Sequence, residues 1–471
     1  MSDYTVSGPV AGTARLGVMS ASGRLPDGFV EEEWFLSGRA TSYAADGDLG
    51  ADGQWSVHPA GEEDFTTRLV VRRPADPARH NGTVVVEWLN VSGGTDTAPD
   101  WGYLHRHLGR AGFAWVGVTA QRAGVAGGGL VPGPHLQQLD PDRYGSLVHP
   151  GDAFSYDIFS IAGRALREGA GSLLGPLRAG RLLAVGESQS AIYLTSYLDA
   201  VAPLAQVYDG FLLHGRPATA APLDGDLLRN STADMAAEAA TQWTTPVRIR
   251  TDSAAPVIVL QSETDVIGMG SVAARQPDDE RFRLWEVAGT AHADTYLLAA
   301  SGAHSDDTST AELARLCAPT TEPMGPLLTT GSPINSGPQQ HYVAQAALAH
   351  LDRWAGGGPP PPSAPRLEVT GEPARLVGDE LGIARGGIRT GFVDVPSAVL
   401  SGVGQTGPVF AFLFGTTRAL DEATLHRLYP GGREEFAKRF ADATADAVAR
   451  GFLLADDAEE IDELAVSMFP G

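Results

Sequence analysis

From residue 83 the sequence takes on a texture that leaves few folds open. "TVVVEWLN", "FAWVGVTA", "RLLAV" and "VYDGFLLHG" are short apolar runs, and among them stand the helix-like stretches "WGYLHRHLGRAG", "FSYDIFSIAGRALREG" and "AIYLTSYLDAVA". Strands too apolar to alternate, separated by helical stretches of roughly 10 to 15 residues, mark βαβ units, because a parallel sheet is covered by helices on both faces. The pattern predicts an α/β core around a mostly parallel sheet.

The rest of the chain is organised around that core. The first eighty residues read as β-structure with turns, in "GFVEEEWFLSGRATSY" and "DFTTRLVVRRP". The βα rhythm breaks between about 216 and 250, where Pro, Asp and a small helical patch suggest a lid, and "PVIVLQS" and "RFRLWEVAG" resume the sheet. After the helix "HYVAQAALAHLDRWAGG" comes the stiff connector "GGGPPPPSAP". Beyond it lie strand-like pieces, "RLEV", "GGIRTGFVDVP" and "VFAFLFG", and then acidic helices. The expected division is a β-rich segment over 1–82, an α/β core over 83–358 with a lid insertion at about 216–250, and a C-terminal extension over 359–471.

Composition excludes several classes of function. A net charge of −23 spread without long single-sign blocks argues against nucleic acid as a partner. The positive charge is nearly all arginine, with Lys438 the only lysine. One cysteine, Cys317, rules out an intramolecular disulfide framework and a cysteine-based metal cluster. There is no H-E-x-x-H zinc motif, and no G-x-G-x-x-G follows the first core strand. No metal and no cofactor are therefore expected. The start, "MSDYTVSGPVAGTARLG", shows neither a basic n-region nor an apolar h-region. No window approaches the roughly 20 apolar residues of a spanning helix. The expectation is a cytoplasmic protein without membrane contact.

The chemistry is concentrated at "RLLAVGESQSAIYLTSYLDA", residues 181–200: a buried strand, a small turn centred on Ser188, and a helix. A serine hydroxyl needs an adjacent base, a group to orient that base, and donors for the oxyanion. A sharp strand-to-helix turn of the G-x-S-x-G kind presents such a serine; here "GESQS" has Ser190 in place of the last glycine. The bland alternative for Ser188 is a helix N-cap. The acid should follow the serine and the histidine should follow the acid. "QSETDV" offers Asp265, with Glu263 as the alternative, and "WEVAGTAHAD" offers His292 in a loop of small residues. His105, His107, His341 and His350 lie in helical patterns and read as surface or core residues. The oxyanion donors expected are the backbone N–H of Gln189 and one from Asn90 or Val91 in "TVVVEWLNVSGG". His214, Arg216, Tyr156 and Gln121 are pocket candidates; for Arg216 the choice lies between holding a substrate carboxylate and pinning the lid.

With "GESQS", "ETDV", "WEVAGTAHAD", "DGFLLHGR", "YGSLVHPGDAFSYDIFS", "GGIRTGFVDVP" and "LFGTT", the chain resembles the α/β-hydrolase superfamily, and more narrowly bacterial alpha/beta hydrolase domain-containing proteins. The resemblance runs from about residue 5 to 465. It implies an α/β-hydrolase fold, a mostly parallel central sheet flanked by helices with N-terminal β additions, a lid insertion and a C-terminal extension. It also implies Ser188, Asp265 and His292 as a triad. The activity this suggests is serine carboxylic-ester hydrolysis of a small-molecule ester through an acyl-enzyme. Lactonase, acyltransferase or peptidase chemistry on the same triad, or a non-catalytic binding role, are the alternatives. Since His292 must be neutral to act as base, activity is expected to rise with pH through about 6 to 7.

Overall fold

The computed structural model describes residues 4–11, 17–18, 24–128, 133–225, 227, 245–326, 328–408 and 410–470. It divides into two compact units, one of residues 1–257, 279–282 and 351–358, the other of 258–278, 283–350 and 359–471.

The first unit carries β1 (Tyr4–Ser7), β2 (Phe29–Ala45), β3 (Val57–Pro74), β4 (Thr83–Trp88), β5 (Ala114–Val118), β6 (Arg181–Glu187) and β7 (Gly210–His214). Their order in the sheet is β1-β2-β3-β5-β4-β6-β7. The chain's two textures meet in this order. β2 and β3, in the stretch read as β-structure with turns, form a long antiparallel hairpin with a bulge between Ser42 and Tyr43, and β3 runs antiparallel to β5. From β5 onward the neighbours are parallel. Every residue of β4, β5 and β7 is buried, as strands with both faces covered require. Helices α1 (Pro99–Ala111), α2 (Ser155–Glu168) and α3 (Gln189–Ser196) make the crossovers. β5 lies on one side of β4 and β6 on the other, so the strand order reverses there, and the carboxyl ends of β4 and β6 flank the point where open α/β sheets bind ligands.

In the second unit, α4 (Glu263–Ile267) follows strand β8 (Val257–Gln261), and β9 (Phe282–Glu286) neighbours β8. Later come α5 (Gln339–Ala355), α6 (Gly432–Ala449) and α7 (Ala458–Met468). The units cut across the expected three-part division, and the reason is hydrophobic. Val266 and Ala288 share one buried cluster with Leu367, Ile383, Val393, Val399 and Leu420, so the C-terminal extension shares a core with the segments after β8 and β9. The proline-rich connector is tied down as well: Pro361 and Pro362 carbonyls accept from Arg283 Nε and Trp285 Nε1, both at 2.9 Å.

Two strand-like readings in the extension differ from the structure. "GGIRTGFVDVP" contains the helical turn Gly391–Asp394, and "VFAFLFG" the turn Ala411–Phe414. Apolar runs of four residues carry too little periodicity to separate strand from helix. The helical patch expected within 216–250 falls on 228–244, outside the described residues; 216–225, 227 and 245–250 carry neither helix nor strand. No helix among the described residues is long and apolar enough to cross a membrane.

Candidate active site

Ser188 stands between β6 and α3 with φ 59° and ψ −120°. A positive φ is uncommon outside glycine, and among the described residues only Ser172 and Gln206 share it. The side chain makes no capping hydrogen bond, although Ser188 occupies the N-cap position, so the structure does not use it as an ordinary helix cap. From Leu182 to Val201 it is the one residue that is not buried. Its N–H donates to the carbonyl of His214 at 2.9 Å, which fixes the bend to the end of β7. Gly186 serves a different purpose from the one a turn would suggest. A Cβ there would meet Leu194 Cδ1 at 2.8 Å and Ser190 Cβ at 3.0 Å, so the glycine lets α3 pack close against β6.

The loop after β4 meets this bend, but not as expected. The Val91 N–H donates to Gln189 Oε1 at 3.1 Å, and the Asn90 N–H to Thr97 O at 2.9 Å. Asn90 Nδ2 reaches the Glu187 carbonyl at 3.1 Å. These groups stitch the β4 loop to the serine turn, and the two N–H groups expected as second oxyanion donor are already engaged. Of the three expected donors, Gln189 N–H remains. The Gln189 side chain is buried, and its Nε2 finds no hydrogen-bond partner among the described residues.

In the second unit, His292 Nδ1 lies 2.6 Å from Asp265 Oδ1, with Asp265 fully buried and His292 4 % exposed. Asp265 is locked by a capping box at the start of α4: its Oδ2 accepts the Ser262 N–H at 2.6 Å while Ser262 Oγ accepts the Asp265 N–H at 3.2 Å. Glu263 does other work. Its Oε1 accepts Gly289 N–H at 2.6 Å, and its Oε2 accepts Gly402 N–H at 2.8 Å and Ser401 Oγ–H at 3.0 Å. Burial raises its carboxyl above the ordinary value, and the donors from Gly402, Gly289 and Ser401 offset part of that rise. Of the two carboxylates two residues apart, Asp265 meets the imidazole and Glu263 bridges two loops.

The model of the alpha/beta hydrolase domain matches residues 6–463, nearly the whole chain. The chain belongs to the alpha/beta hydrolase family. Among solved structures it is similar to fungal esterases from Rhizomucor miehei, at 14 % identity over 72 % of this chain and 88 % of that one, with a TM-score of 0.34. It is also similar to a thermostable esterase from Pseudomonas putida (15 %, 63 % and 83 %, TM-score 0.30) and to a lidless serine hydrolase from Xanthomonas campestris (14 %, 52 % and 84 %, TM-score 0.28). No functional conclusion rests on likenesses this distant. No protein of curated function matches the sequence.

The expected pocket residues of this alpha/beta hydrolase are held by framework contacts. His214 Nδ1 pairs with Asp100 Oδ1 at 2.9 Å, both buried. Tyr156 donates to the Pro222 carbonyl at 2.8 Å, and burial pushes its phenol far above the ordinary range. Gln121 accepts from Trp88 Nε1 at 3.2 Å and donates to Asp152 Oδ2 at 3.1 Å. Buried Arg216 donates to the carbonyls of Pro217, Ala218 and Val247, so it clips together both ends of the 216–250 segment. Burial lowers its guanidinium to about 10, against the opposing pull of Asp199. The carboxylate behind α1 reads from the sequence as a buried structural group with no catalytic role. Glu87 in β4 takes the N–H groups of Asp100 and Trp101 and the indole of Trp115, and burial, then the Asp100 charge, raises its carboxyl well above the ordinary value. A lone glutamate inside "TVVVEW" is the signal for it.

Proposed function

We propose that this alpha/beta hydrolase is a serine carboxylic-ester hydrolase. The observation that carries the reading is Ser188, held at positive φ and partly exposed in an otherwise buried strand-to-helix bend. Backbone strain of this kind costs on the order of 1–3 kcal/mol and is found where function needs it. In this reading Ser188 Oγ attacks the ester carbonyl, and the Ser188 proton passes to His292 Nε2. Asp265 holds Nδ1–H and stabilises the imidazolium, and Gln189 N–H receives the oxyanion. Collapse of the tetrahedral intermediate breaks the ester C–O bond, and the alcohol leaves with the proton from His292. Water, deprotonated by the same imidazole, then attacks the acyl-enzyme and releases the acid and Ser188. Only small-molecule esters are assigned as partners.

A fluorophosphonate probe tests the reading directly. The wild type is expected to be labelled at Ser188, and a panel of nitrophenyl esters of graded acyl length, with lactones and a peptide beside it, to show turnover greatest on esters. An unlabelled wild type, or a Ser188→Ala protein labelled as strongly, would overturn it.

A further inference from the structure

The second unit gathers three side chains that the proposed reaction does not use. His304 and His341 are 2 % and 0 % exposed, the Glu460 side chain is 23 % exposed, and one ligand atom from each lies within 4.8 Å of the others. We propose that these three residues bind a single divalent transition-metal ion of the zinc type, tying together the segment around His304, helix α5 and the C-terminal helix α7.

The separation of His304 and Glu460 suits one ion. His304 Nε2 lies 3.2 Å from Glu460 Oε2. Two ligands on one tetrahedral zinc, each bound at about 2.0–2.1 Å, stand about 3.3 Å apart. The surrounding hydrogen bonds orient the same two atoms inward. Tyr296, fully buried on the π-helical turn Tyr296–Ala300, meets the opposite nitrogen of His304, Nδ1, at 3.0 Å. Tyr342 donates to the opposite oxygen of Glu460, Oε1, at 2.8 Å. A metal-bound imidazole gives its other N–H to such a partner, and a ligating carboxylate is hydrogen-bonded in turn. The Gln345 amide nitrogen lies 3.2 Å from His341 Nε2, a third polar side chain bordering the cluster.

Two imidazoles and one carboxylate select for zinc and its neighbours over magnesium or calcium, which prefer all-oxygen shells. On binding, the ion displaces to solvent any proton shared by the ligand atoms, and a water completes the coordination. The buried face of α7, Ile461, Leu464 and Ala465, shows that the helix already packs; the ion would clamp it.

The experiment uses the full chain, stripped with a chelator, given excess zinc, desalted and assayed for bound metal. About one zinc per chain is expected to be retained, and cobalt in its place to give visible absorption of a tetrahedral or five-coordinate site. Glu460→Gln and His304→Ala should each weaken zinc at least about tenfold, and Tyr342→Phe by a smaller factor. Wild type with no retained zinc, or both ligand variants holding zinc as tightly as wild type, would overturn the proposal. Should the variants fail to fold, the unfolding midpoint of the wild type decides: several degrees higher with zinc than with chelator is expected, and an unchanged midpoint counts against the site. None of these readouts depends on ester turnover.

Discussion

Among the described residues, two buried aspartate–histidine pairs have nearly the same geometry, Asp100–His214 at 2.9 Å in the first unit and Asp265–His292 at 2.6 Å in the second. Their surroundings differ. His214 closes a strand, its ring packs against Tyr103 at 5.1 Å between centroids, and its carbonyl receives the Ser188 N–H. Its partner Asp100 stands beside a second buried carboxylate, Glu87, whose ionisation it opposes. His292 lies in the small-residue loop "GTAHAD", and its partner is held only by the local capping box. A pair of this kind is therefore no evidence of catalysis by itself. The first is framework under the serine turn; the second is anchored at the acid end and set in a buried loop of small residues.

The comparison can be broken by substitution. The largest effect should come from Ser188→Ala, which is expected to lower ester turnover by at least about 10⁴-fold with the unfolding midpoint little changed. Next, His292→Asn and Asp265→Asn should each lower kcat by about 10³-fold or more while leaving stability nearly intact. Asp100→Asn and His214→Asn should reverse that balance, with unfolding free energy down by about 2–4 kcal/mol in denaturant titrations and kcat down by less than about tenfold. Equal kinetic losses in both pairs would dissolve the distinction.

A subtler difference lies in pH. The folded-state value of Glu87 is raised, so its contribution to stability is fully present below the ordinary carboxyl range and is lost as pH rises through the folded value. The stability of wild type relative to Glu87→Gln should therefore shrink as pH rises above that range. A constant difference would show that the buried carboxylate does not titrate as described. Smallest of all, Ser190→Ala should change stability by no more than about 1 kcal/mol, towards greater stability, since the Ser190 hydroxyl is buried with no partner among the described residues.

The parts of this architecture that were legible in the sequence are those written in consecutive residues. "LLAV" before "GESQS" and the apolar helix after it fix the strand-to-helix bend, and the order of "ETDV" and "AGTAHAD" puts an acid before a histidine. What was not legible depends on residues brought together from afar. Choosing between Glu263 and Asp265 needed Ser401 and Gly402, more than a hundred positions away. The engagement of Val91 by a glutamine side chain has no local pattern. His341 reads as one more polar residue of a helix until His304 and Glu460 are found beside it.

Glu263 leaves the last hundred residues with an obligation. Two of its three donors, Ser401 and Gly402, come from beyond the proline-rich connector. A chain stopped at Gly358 would strand an anion in the interior two positions from the aspartate that holds His292, with nothing from the missing tail to quiet it. Such a truncation would disturb the Asp265–His292 pair at long range, and the tail is better regarded as a fragment of the unit's interior that happens to be encoded last.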